Sequence, residues 1–188
     1  MFFFGSLGLS VALLATAPLA IGVTPVRGAL EIQLHLEEPL PETFTDALPS
    51  GAVVRVIYPL RVRRSRTLMW DGRVWKGEIT SRVAFDPLVG RYQCELLLDE
   101  VIVTSAEVDS AKDAVSWLTT PPPVRLGLKD IRKLTRLYVR ARAVFSVSTT
   151  LLVFPDTEGT DWVSVSVVPD ASSNSPTTPV SSPTPDSG

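Results

Sequence analysis

The chain has 188 residues, 18 basic against 20 acidic, with one histidine, one cysteine and a formal net charge of −2. That length holds one domain with a real apolar interior once a segment at each end is set apart. Near-neutrality excludes the global basic field that recruits nucleic acid, and one cysteine excludes an internal disulfide.

Residues 2–23, FFFGSLGLSVALLATAPLAIGV, carry no side-chain charge. A run of this length could span a bilayer, which takes about 20 residues. Its glycines and Pro18 make it a poor permanent helix, and Val26-Arg27-Gly28 ahead of Ala29 resembles a signal-peptidase site. Residues 1–28 are therefore expected to be a signal peptide or an N-terminal anchor, with a buried strand as the third reading. The chain is expected in the periplasm or cell envelope, anchored to the inner membrane if the leader is kept, and touching membrane only through it. No cysteine follows the apolar run, which excludes a lipoprotein anchor.

Ala29 to Glu37, ALEIQLHLE, alternates without a break, with Leu30, Ile32, Leu34 and Leu36 on one face. A period of two marks a strand with one buried side, and it leaves His35 on the polar side as a solvated residue. Pro39 to Gly51 is punctuated like a short helix, expected at about 42–48. Ala52 to Leu98 reads as three long strands, AVVRVIYPLRVRRSR, RVWKGEITSRVAF and RYQCELLL, joined at Trp70-Asp71-Gly72 and at Asp86 to Gly90. Pro59 cannot donate to a ladder, so its strand is expected to be an edge or to bend there. Cys94 alternates with Tyr92, Leu96 and Leu98 and reads as a small core residue.

Val101 to Thr104 is a short strand. Thr104 and Glu107 have capping-box spacing, and a helix is expected at about 106–118 with Val108, Ala111, Val115 and Leu118 as its apolar stripe. Pro121-Pro122-Pro123 stops it. Val124 to Leu128 and Trp162 to Val168 read as short strands, and Tyr138 to Ser148 as a long one with Arg140 and Arg142 facing out. Pro169 to Gly188 has a single valine, Val180, among mostly Ser, Thr, Pro, Asp and Asn, and is expected to be a disordered Ser/Thr/Pro-rich tail. The expected fold is mainly β: an antiparallel sandwich of about seven or eight strands over 29–168, with the two helices against it.

Taken in order, "ALPSGAVVRV", the tryptophan turn "RSRTLMWDGRV", the tyrosine strand "DPLVGRYQCEL", the helix "SAEVDSAKDAVSWL" and "LYVRARAVFSV" resemble DUF4390, a family of exported bacterial proteins of unknown function. The likeness spans roughly Ala29 to Val168 and implies a Gram-negative-type or spirochaete envelope protein. It brings no catalytic residue. The closing TTLLVFPDTEGTDWVSVSVV and the tail depart from the family pattern.

No clustered metal ligands, Gly-rich phosphate loop or nucleophile elbow is present, so no catalytic residue and no cofactor is assigned. Charge is uneven. From Arg55 to Arg91 there are eight arginines and one lysine against three acids, an excess of six; from Arg125 to Arg142 seven bases face Asp130 alone, again six. Arg61, Arg63, Arg140 and Arg142 lie on polar strand faces and would form one basic surface if their strands are neighbours. Arginine forks suit carboxylates and phosphates, so the partner classes are an acidic protein, a glycan or an anionic lipid head group. The plainer reading pairs these arginines with acids on adjacent strands. Trp70 and Trp75 either rim a binding surface or cover the end of the sandwich. A non-enzymatic binding module fits best. The alternatives are a hydrolase built on converging carboxylates among Glu31, Glu78, Asp86, Glu95 and Asp99, and a carrier of an apolar ligand between the sheets.

Overall fold

The computed structural model describes residues 18–26, 28–66, 71–128, 136–148, 153–154 and 159–167. Among these the chain forms β1 (Leu19–Val26), β2 (Ala29–Leu36), α1 (Glu42–Ala47), β3 (Val53–Arg64), β4 (Gly72–Asp86), β5 (Arg91–Leu98), β6 (Val101–Val108), α2 (Ala111–Thr119), β7 (Val124–Gly127), β8 (Leu137–Ala141), β9 (Val144–Ser148), β10 (Val153–Phe154) and β11 (Val163–Ser166). The expected tail and the Trp70 end of the first long turn lie outside the described residues.

The strands make two antiparallel sheets. The small sheet runs β1-β2-β7, and the large one runs β10-β9-β3-β4-β5-β6, with β8 on β3 beside β9 and β11 on β8. The alternation explains which face is buried. Val54, Val56, Tyr58, Leu60 and Val62 of β3 are all fully buried, as are Val139, Ala141 and Ala143 beside them. They share one cluster with Leu30, Ile32, Leu34 and Leu36 of the small sheet and with Phe44, Ala114 and Leu118 of the helices. The small sheet and both helices therefore cover one face of the large sheet in a sandwich-like arrangement, and its other face is left to the arginines.

Three expectations change. Leu19–Val26, counted above with the leader, is strand β1, paired with β2 at eight register positions, with Leu19 fully buried. A cut ahead of Ala29 would fall in the turn between two paired strands. The strand after β5 runs to Val108, and α2 begins only at Ala111. Its cap is Ser110, whose side chain accepts from the Asp113 backbone N–H, and not Thr104 with Glu107. β6 is also an edge, with Val101, Ile102 and Val103 exposed.

The third change concerns Pro59. β3 is not an edge: β4 lines one side along its length, and β9 and β8 line the other. Leu60↔Ala141 and Ile57↔Val144 belong to one unbroken register, which sets Arg142 opposite Pro59. Proline has no N–H to give, so the long strand expected over Tyr138–Ser148 is interrupted there and becomes β8 and β9. On its far side Ala143 is satisfied by Thr160: the Thr160 N–H donates to the Ala143 carbonyl at 2.9 Å, and the Ala143 N–H donates to Thr160 Oγ1 at 2.9 Å. Gly159 permits this approach, since a Cβ there would lie 2.6 Å from the Ala143 oxygen.

α2 is tied down at its C-terminal end, where helix carbonyls lack partners. The Tyr58 hydroxyl donates to the Leu118 carbonyl at 2.8 Å, and Ser81 Oγ donates to the Trp117 carbonyl at 3.0 Å. Cys94 is buried, and burial pushes its thiol up to about 11, so it is protonated and unreactive at neutral pH.

Candidate functional site: a basic face on the large sheet

Register decides which arginines meet. Arg61 of β3 stands between Arg140 of β8 and Lys76 of β4. Arg63 stands between Tyr138 and Arg73. The four arginines singled out from sequence are thus gathered on the outer face: Arg61, Arg63 and Arg140 through these pairings, and Arg142 through the turn beside β8. Arg73 and Lys76 join them for a reason that strict alternation hides. Two residues three apart in a strand should face opposite ways. The register shifts between Val62 and Arg63, so Val74 is an extra residue in β4, and this bulge returns Arg73 and Lys76 to one face.

Arg61, Arg63, Arg73 and Lys76 line a pocket of ≈ 90 Å³, and none of its described lining residues is an acid. This block differs from three other arginines of the sheets. Arg82 pairs with Glu95, Arg91 lies 2.9 Å from Asp109, and Arg125 lies 3.0 Å from Glu31. Those three follow the plain expectation of arginines neutralised by neighbouring acids. The pocket cations have no ion pair among the described residues, and their cross-strand neighbours include like charges. Like charges directly opposite are destabilising, so the folded protein carries a repulsion here that a bound anion would relieve.

The side chains are held in place by aromatics. Trp162, just ahead of β11, has the Arg61 guanidinium 4.5 Å from its ring centroid, Arg142 at 5.4 Å and Arg140 at 5.6 Å. These are cation–π distances, each contact contributing about 0.5–1 kcal/mol at an exposed site. The Nε of Arg140 is buried without a hydrogen-bond partner among the described residues. At the other end the Tyr138 hydroxyl donates to Asp71, which raises the phenol's pKa, while Arg63 bonds to the same side chain and opposes that shift.

Trp162 is the residue that sequence reasoning missed. The signal was its parity in WVSVSVV, which puts it with Ser164 and Ser166 on the outer face, away from Val163, Val165 and Val167. Trp75 is not part of this surface. It stands opposite the buried Val62, packs against the core and lies over Gly77 on the inner side of β4. Trp70 lies outside the described residues.

The remaining chemistry-bearing residues are dispersed. His35 Nδ1 is 2.8 Å from Thr120 Oγ1 on the exposed face of β2. Among the described residues no group of three or more His, Cys, Asp or Glu is placed to hold a metal ion, and no helix is long and apolar enough to cross a membrane. Of the carboxylates considered for hydrolysis, Glu95 and Glu31 pair with arginines, Asp86 Oδ1 accepts the Leu88 N–H at 2.9 Å in a turn, and Asp99 Oδ1 accepts the Glu78 N–H at 2.9 Å.

No curated protein and no solved structure matches the chain. A family model, the domain of unknown function DUF4390, matches residues 20–154, a span reaching from β1 through β10 and stopping short of β11 and Trp162. Across that span, with its mainly antiparallel sheets, the chain belongs to the DUF4390 family.

Proposed function

We propose that the protein is a non-catalytic binding module of the cell envelope whose contact surface is the arginine face of the large sheet. One observation carries the reading: Arg61, Arg63, Arg73 and Lys76 share a pocket with no acid among its described lining residues, whereas Arg82, Arg91 and Arg125 each meet a carboxylate. The partner is anionic: an acidic protein, a glycan or a lipid head group. The structural duties of Glu31, Asp86, Glu95 and Asp99 weigh against a carboxylate-based hydrolase.

The test uses defined polyanions: polyglutamate, polygalacturonate and vesicles containing phosphatidylglycerol. Wild-type protein is expected to bind at least one of them, with affinity that falls as salt rises. Arg61→Glu/Arg140→Glu should weaken that binding by at least about tenfold, roughly 1.4 kcal/mol. No binding to any probe, or equal binding by the variant, would remove the face from consideration.

The apolar leader supports export. Because β1 supplies a buried strand, we place any cleavage ahead of Leu19 rather than ahead of Ala29. The expected outcome is a mature protein, recovered from the envelope fraction, whose measured mass retains β1. A mass corresponding to a start at Ala29, or recovery only from the cytoplasm, would sink this part of the reading.

A further inference from the structure

The pocket's size and symmetry narrow what can enter it. Its ≈ 90 Å³ is well below the space a drug-sized ligand needs. It holds a few waters or one small oxyanion, so a polymer can cross the face but only a single group can dip in. The cations sit at the corners of a block, two from β3 and two from β4, and all four border the same small space. A planar carboxylate presents its acceptors in one plane with a single negative charge. A phosphomonoester presents three acceptor oxygens in a tetrahedral arrangement and carries close to two negative charges at neutral pH. Arginine forks engage such oxygens bidentately, and a lysine adds a mobile point charge.

The pocket is also prepared in advance. Arg61 is held under Trp162 and Arg63 stands opposite Tyr138 in the β3–β8 pairing, so Arg61 at least loses little freedom when an anion arrives. Arg73 and Lys76 are exposed and have no such tether among the described residues. On this basis, and resting on the anionic-partner reading above, we propose that the Arg61–Arg63–Arg73–Lys76 pocket binds a phosphomonoester group. The group is either free in solution on a small molecule or displayed as the terminal phosphate of a lipid.

The experiment titrates the full chain with inorganic phosphate and methyl phosphate, and in parallel with dimethyl phosphate and acetate at matched ionic strength. Binding is read by calorimetry and by the rise in Tm. Phosphate and methyl phosphate should saturate and raise Tm, with dimethyl phosphate and acetate at least about tenfold weaker. Arg73→Gln/Lys76→Gln should lower the phosphate affinity by about tenfold or more, while Arg125→Gln, on β7, should leave it unchanged. Vesicles of phosphatidylcholine with phosphatidic acid, set against phosphatidylcholine with phosphatidylglycerol, separate the two sources. Preference for phosphatidic acid identifies a lipid monoester, and phosphate binding without vesicle binding identifies a soluble one. Equal affinity for acetate, unchanged binding by the double variant, or no saturable phosphate binding overturns the proposal. If polyanions still bind and Arg61→Glu/Arg140→Glu still weakens that binding, only the phosphomonoester assignment falls; if neither probe class binds, both readings fall together.

Discussion

A chain shortened to begin at Ala29 is expected to lose its cooperative melting transition. The cut removes β1, and with it Leu19 and Ile21, which are 0% and 8% exposed in the folded protein. Burying two such side chains contributes about 1.5–3 kcal/mol each. The cut also strips β2 of a partner along all eight of its residues. Backbone hydrogen bonds contribute about 0.5–1.5 kcal/mol apiece, so the combined loss is comparable to the roughly 5–15 kcal/mol that holds a whole domain. Circular dichroism melts of the two chains measure this directly. A truncated protein that melts cooperatively within a few degrees of the longer one would show that β1 is dispensable.

Tyr58 is the second place where a single change should be felt strongly. It is fully buried at the centre of β3, and its hydroxyl is the partner of the Leu118 carbonyl at the end of α2. Tyr58→Phe keeps the ring and strands that carbonyl in the interior, which costs about 1–3 kcal/mol. Tyr58→Ala also leaves a cavity, and large aromatic-to-alanine changes in cores cost about 3–5 kcal/mol. At about 2–4 °C per kcal/mol for a domain of this size, the phenylalanine variant should melt several degrees low and the alanine variant well below it. A Tyr58→Phe protein with an unchanged Tm would mean that α2 finds another anchor.

The same tyrosine gives an alkaline limit. Burial raises its pKa far above the ordinary phenol value of about 10. In the unfolded chain it ionises near that ordinary value, whereas in the folded protein it stays protonated. The stability linked to it is therefore fully present below about pH 10 and falls as pH rises beyond. Tyr58→Phe should flatten that alkaline decline.

What the sequence disclosed followed from periodicity. The unbroken alternation of ALEIQLHL and of Val54 to Val62 fixed which side of each strand is buried, and the exposed ring of His35 followed from the same count. Tyr92, Cys94 and Leu96 behaved likewise. The misplaced start of α2 arose because Thr104/Glu107 and Ser110/Asp113 have identical spacing; only pairing with β5 shows that the first pair lies in a strand. The candidate site was half legible. Arg61, Arg63, Arg140 and Arg142 announced an outward face, but strand adjacency is long-range information. Arg73 and Lys76 stayed hidden because one bulged residue inverts the parity by which faces are read. Pro59 marked a disturbed ladder correctly while its location, in the middle of the large sheet, depended on strands more than seventy residues away.

That last separation bears on how fast the protein acquires its structure. β3 touches β4 soon after it in sequence, yet its other edge is filled only by Leu137–Ala141 and Val144–Ser148, and β2 waits for Val124–Gly127. Closing loops of that length costs entropy before any contact is returned. A topology weighted toward such distant pairings belongs with the sheet proteins that fold in milliseconds to seconds rather than microseconds. Until residues 137–148 arrive, the most buried strand of the domain is paired along one side only.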